Sequence, residues 1–320
     1  MKKINYLEII KRAFLLSWRN KFLWVFGFFI FLGSMGSNSD VIFRQLAIDE
    51  NNQNTQVFFD FAQKDPGLFM VIGLLLLIFG IMVFLLKIVS VTAVIKSANN
   101  IKLYSQLPLL KIFNESRKYL WKLLLLGILI GLSLFAIAIL LIIPIFYLFI
   151  IKAQLFGFMM TFLAFVIFVP LVVLGVYLNK YAYLFLILGD FGIRTSLELA
   201  YVTLAKNIKE SLIMGVISLG LGMLVMILTM VVGVFIFGLV GTLGFLANML
   251  FAKIGMIVVG TIGGIFGGIV LVSLLSWYAV FMQTTWLLFF QEISFEKDKE
   301  KKKTMERVEA GMEVSDPGVV

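Results

Sequence analysis

This sequence predicts an all-α polytopic membrane protein. Six transmembrane helices form three hairpins, each preceded by an amphipathic cytoplasmic surface helix. Three observations carry that prediction. Hydrophobic residues make up 61% of the 320 positions and charged ones 14%, with a mean hydropathy of +1.05. A soluble chain of this size cannot cover so much apolar surface. Several uncharged runs exceed the roughly 20 residues that cross a bilayer. They are apolar all round, which disfavours the alternating strands of a β-barrel. Lys and Arg, finally, segregate: 23 of the 27 fall on one side of the resulting topology and four on the other.

Residues 4–19 read as the first surface helix. Leu7, Ile10, Phe14 and Trp18 make its apolar stripe; Glu8, Lys11, Arg12 and Arg19 are polar. The first span takes about 20–36, a run so short that Arg19 and Lys21 must snorkel at its edge. A cleaved signal peptide is the rival reading, because the small residues Gly33–Ser37 follow the apolar run. Residues 37–65 form the outer loop. Asp65-Pro66 is a helix start, and the second span takes about 66–90, with Lys87 snorkelling. Asn99-Asn100 break the chain. Pro108 opens the second surface helix, 108–119, with Leu109, Ile112 and Phe113 apolar and Lys111, Asn114, Glu115 and Lys118 polar.

The third and fourth spans take about 121–146 and 154–180, joined by a tight turn at Lys152. Pro170 marks a kink in the fourth. That span ends in an interfacial belt of Asn179, Lys180, Tyr181 and Tyr183. Asp190-Phe191-Gly192 is a turn, and Arg194 is the candidate partner of Asp190. The third surface helix, 192–205, puts Ile193, Leu197, Ala200, Tyr201 and Leu204 on one face and Arg194 and Glu198 on the other. Asn207 is a candidate cap for the next helix, with Glu210 three residues on. The fifth and sixth spans take about 210–238 and 254–280, and Gly238, Gly241, Gly244, Asn248 and Lys253 mark the loop between them. Residues 1–294 thus form a membrane domain, and 295–320 a disordered cytoplasmic tail.

The three surface-helix-plus-hairpin units repeat at a spacing near 90–100 residues. Aligned on Gly27, Gly127 and Gly215, they place Arg19, Lys118 and Lys206 at matching positions, eight or nine residues earlier. The positive-inside rule puts both termini and all three surface helices in the cytoplasm. The expected location is therefore the bacterial cytoplasmic membrane.

The chain has no Cys and no His. Disulfides, thiolate chemistry, Cys/His metal sites and His bases are excluded. Apart from Glu210 at the very start of the fifth, no Asp or Glu falls within a predicted span, which argues against a proton relay or ion-coupled transport. No catalytic, cofactor-binding or metal-binding residue is identified, so the chain reads as a non-enzyme without cofactors. Its net charge of +9 is explained by topology, not by nucleic acid. Two groups of residues remain as functional candidates. Gly260, Gly263, Gly264, Gly267 and Gly268 form overlapping G-x-x-x-G pairs that suit close helix packing, with Gly264→Leu expected to disrupt assembly far more than Leu271→Ala and Gly215, Gly220 and Gly222 of the fifth span expected opposite. Such a face also suits a homo-oligomer or a membrane protein partner. Lys11, Arg12, Arg19, Lys21, Lys111, Lys118, Lys206 and Lys209 are candidate contacts for anionic lipids.

The lead-in Trp18-Arg19-Asn20-Lys21-Phe22-Leu23-Trp24 resembles that of a bacterial family of uncharacterised six-span proteins. So do Asp190-x-Gly192 and the Lys206-Asn207 pair that follows the third surface helix. These stretches resemble the membrane domain attached to some glycerophosphoryl diester phosphodiesterases. The hydrolase domain itself depends on histidines, which this chain lacks. The resemblance therefore implies a membrane module without hydrolase activity. The expected function is a non-enzymatic module that organises lipid or partner proteins. The alternative is a transporter or lipid-translocating protein using the Gly-rich bundle.

Overall fold

The computed structural model describes residues 4–35 and 63–313, from 295 onward as backbone alone. The outer loop read from the sequence at 37–65 lies mostly outside the described residues. Among the described residues every regular element is an α-helix and none is a strand. The helices are α1 (Tyr6–Arg19), α2 (Leu23–Met35), α3 (Pro66–Asn99), α4 (Ile101–Tyr104), α5 (Leu109–Arg117), α6 (Leu120–Ile150), α7 (Gln154–Gly189), α8 (Ile193–Lys206) and α9 (Ile208–Glu313). Four of them (α3, α6, α7 and α9) are long and apolar enough to cross a membrane. The pair α1–α2, bent by 107° at its break, makes a fifth candidate. With 13 residues, α2 is about 20 Å long, shorter than the roughly 30 Å hydrocarbon core.

The chain divides into two compact units. One holds 4–13, 121–216 and 285–313; the other holds 14–35, 63–120 and 217–284. In the first, the buried residues of α6 lie between Leu123 and Ile130, and most of those of α7 between Gly175 and Ile187. In the second, α3 is buried only from Ile88 to Ala98. The rest of these helices carries exposed apolar side chains such as Leu74, Leu140 and Phe162. Backbone satisfied within the helix and side chains without a polar atom suit hydrocarbon, not water.

Turns fall where single residues permit them. Lys152 (φ 60°) and Asp190 (φ 49°) adopt left-handed backbone at the ends of α6 and α7. The fifth-to-sixth connection differs from its prediction. The helix runs through Gly238, Gly241 and Gly244 and breaks at Phe251 and Ala252 (φ 52°, ψ −155°). Glycine is tolerated in membrane helices, whereas this backbone region is essentially glycine's own and strains an alanine. Just beyond, a Cβ on Gly255 would lie 2.5 Å from the Ala247 carbonyl oxygen, so the turn closes only on a glycine.

Three helices outlast their predicted spans. α3 continues to Asn99 and α7 to Gly189, because neither Lys87 nor Asn179-Lys180 breaks a helix. The expected interfacial belt is therefore part of α7: Tyr181 is fully buried, and the Tyr183 hydroxyl donates to the Leu123 carbonyl at 3.2 Å. α9 continues to Glu313, so the stretch read as a disordered tail begins as helix; its Glu and Lys residues are good helix formers. Asn207 caps no following helix with its side chain. Its amide donates backwards to the Thr203 carbonyl at 2.8 Å. Between α4 and α5, the Tyr104 hydroxyl donates to the Glu115 carboxylate at 3.1 Å. Partial burial, reinforced by that carboxylate, raises the phenol above its usual range.

Candidate functional site

Two features stand out, one in each unit. The first is an aromatic cluster around the junction of α1 and α2. Helix α1 is apolar on two sides. Ile9, Ala13 and Ser17 are buried, while the predicted stripe residues Leu7, Phe14 and Trp18 are exposed. Phe14 stacks on Trp18 (6.1 Å) and meets Trp277 edge-on (5.4 Å). Trp18 also contacts Trp24 and Trp277 at 5.7 Å, and Trp277 stacks on Phe281 at 5.6 Å. The Trp24 indole donates to the Ser17 carbonyl at 2.9 Å, which ties the bend together. Phe14 (42%) and Trp18 (51%) remain substantially exposed, with Arg19 and Lys21 exposed beside them. Half-covered indoles next to cations are the chemistry of a membrane–water interface.

The second feature is a groove of about 650 Å³ in the other unit. Leu129, Ile130, Ser133 and Leu134 of α6 form one wall. Leu171, Leu174, Gly175 and Leu178 of α7 form another. Leu197, Tyr201, Leu204 and Ala205 of α8, with Ile208, form the third. The α8 face predicted from its period is thus the face turned to the groove. Glu198 stays exposed, ion-paired with Arg194 at 3.0 Å. The predicted Asp190–Arg194 pair is replaced by Lys122–Asp190 at 3.5 Å, across 68 residues of sequence. Gly175 sets the depth of the groove. A Cβ there would lie 2.9 Å from a Leu134 methyl, so α6 and α7 approach closely at its base.

The five candidate glycines, all on α9, separate into two sets. A Cβ on Gly263 would lie 2.5 Å from Val240, and one on Gly267 would lie 2.6 Å from Ile236. Gly260, Gly264 and Gly268 have open space. Gly264, singled out from the sequence, is therefore on the open side. Gly215 and Gly222 are no partners of this stripe: Gly215 faces the Tyr177 hydroxyl and Gly222 the Tyr278 hydroxyl, while Gly220 is open. The eight candidate lipid-contact cations Lys11, Arg12, Arg19, Lys21, Lys111, Lys118, Lys206 and Lys209 are all exposed. Arg12 is ion-paired with Glu8 one turn away.

Two cations that sequence reading treats only as boundary markers have specific positions. The Lys87 amine donates to the Gly33 carbonyl at 3.3 Å, and its stem lies against Gly33. It therefore sits at the C-terminal turn of α2, where a cation is stabilised by the unpaired carbonyls. Lys180 lies 3.9 Å over the Trp286 ring. Neither contact has a local sequence signal, because the partners are 54 and 106 positions away. Among the described residues no group of three His, Cys, Asp or Glu could hold a metal. No family model, curated protein or solved structure matches the chain.

Proposed function

We propose that this chain is a non-enzymatic, six-span module of the bacterial cytoplasmic membrane that gathers anionic lipid at its cytoplasmic face. The observation that carries this reading is the aromatic cluster in which half-exposed Phe14 and Trp18, with Trp24, rest on buried Trp277 and Phe281 beside Arg19 and Lys21. Such a cluster fixes the depth of α1 in the headgroup layer, and the cations supply attraction to anionic lipid. Six spans follow if α2 with its lead-in counts as one and α9 as two, split at Phe251–Ala252. A transporter or lipid-translocating protein is the second reading. The open side of the last span, at Gly260, Gly264 and Gly268, favours it.

Two experiments test the proposal. Reporter fusions within 37–62 should read outside, and fusions within 101–117, 193–206 and the C-terminal tail inside. An outside signal at the tail overturns the six-span topology. In nanodiscs, spin-labelled phosphatidylglycerol should associate with the chain more strongly than phosphatidylcholine. The double variant Arg19→Gln/Lys21→Gln should lose about 2 kcal/mol of that preference, roughly 1 kcal/mol per cation. A parent protein with no preference sinks the reading.

A further inference from the structure

We infer that the groove between α6, α7 and α8 is a binding site for one acyl chain of an anionic glycerophospholipid. The inference rests on the lipid-gathering reading and adds a site and a ligand class to it. The groove is lined without a single charged side chain; only the Ser133 and Tyr201 hydroxyls are polar. The Ser133 hydroxyl is already committed to the Leu129 carbonyl at 2.9 Å. Water has little to bond to in such a space, whereas a hydrocarbon chain matches it. Its volume of about 650 Å³ lies within the ~300–1,000 Å³ usual for small-molecule sites. α8 walls the groove without filling it. Leu204 is buried there, yet Tyr201 remains 65% exposed.

Charge at the edge selects the headgroup. Asp190 and Glu198 are each paired with a cation, Lys122 and Arg194. Lys206 and Lys209 directly follow the lining residues Ala205 and Ile208, are exposed, and form no ion pair among the described residues. Glu210, next to Lys209, offsets one of these two charges and leaves the edge net positive. The groove thus offers a neutral apolar cleft with a cationic edge. That is the complement of a phospholipid with a negative headgroup, and a poor match to a second protein chain, which would need its own apolar ridge.

The test is photo-crosslinking in nanodiscs with phosphatidylglycerol carrying a diazirine at mid-chain, read by peptide mass spectrometry. Crosslinks should concentrate on Leu134, Leu174 and Tyr201. Ser133→Trp fills the groove from an exposed position and should cut those crosslinks at least tenfold, while Phe135→Trp, exposed on the same helix but outside the groove, leaves them unchanged. Lys206→Gln/Lys209→Gln should lower the preference for phosphatidylglycerol over the matching phosphatidylcholine probe by as much as about thirtyfold. Crosslinks spread evenly over all exposed faces of α6 and α7 would mean annular lipid only and overturn the inference. So would an unchanged pattern in a monodisperse Ser133→Trp protein. A chain that prefers phosphatidylglycerol in its lipid shell but shows no groove crosslink overturns this inference alone. Groove crosslinks without a shell preference overturn the lipid-gathering reading instead.

Discussion

Replacing Gly27 by alanine is expected to prevent stable assembly. The added Cβ would sit 2.1 Å from the Ser276 carbonyl oxygen, 2.8 Å from a Val280 methyl and 2.9 Å from the Ser276 carbonyl carbon. Two of those three atoms are backbone, so no rotamer change relieves the clash. Overpacking a buried site costs about 1–3 kcal/mol and more where backbone must move, so a loss at or above ~3 kcal/mol is expected. The natural control is Gly80→Ala in α3, which meets nothing within 4 Å. There the exchange should be neutral or gain up to about 1 kcal/mol of helix propensity. Thermal unfolding of detergent-purified protein, with size-exclusion profiles, measures both. A Gly27→Ala protein as stable as the parent would mean that α2 does not lie against Ser276.

The second large effect is expected within the C-terminal half of α9. Gly263→Leu should destabilise by at least ~1–3 kcal/mol, since both Val240 methyls lie within 2.7 Å of its Cβ position. Gly267→Leu should follow, against Ile236. Gly264→Leu, one residue along the same helix, should be tolerated because it points into open space. The contrast isolates direction from chemistry, because all three exchanges are identical. Expression and unfolding midpoints of the three variants decide it. Equal losses for Gly263→Leu and Gly264→Leu would indicate that a partner or second copy covers the open side.

Local rules made much of the fold legible. Charge-free runs locate the long helices, as they depend only on what hydrocarbon tolerates. The turns at Lys152 and Asp190, the start at Asp65-Pro66 and the apolar face of α8 all follow from patterns within a few residues. The repeat alignment also picked informative positions: Gly27, Gly127 and Gly215 each face a close neighbour, namely the Ser276 carbonyl, the Tyr183 hydroxyl and the Tyr177 hydroxyl.

What the sequence by itself determined was therefore the helical class, the course of the long apolar helices and the amphipathic face of α8, because each is set by neighbours a few positions away. Only the tertiary structure decided which apolar side of α1 is covered, since Ile9 and Leu7 look alike until a partner helix arrives. The same holds for which glycines are contacts and which are open, and for the partners of Lys87, Asp190 and Lys180. The groove belongs to this second class. Its walls come from three helices, and its depth depends on Gly175 meeting Leu134, a contact 41 residues apart that no periodicity encodes.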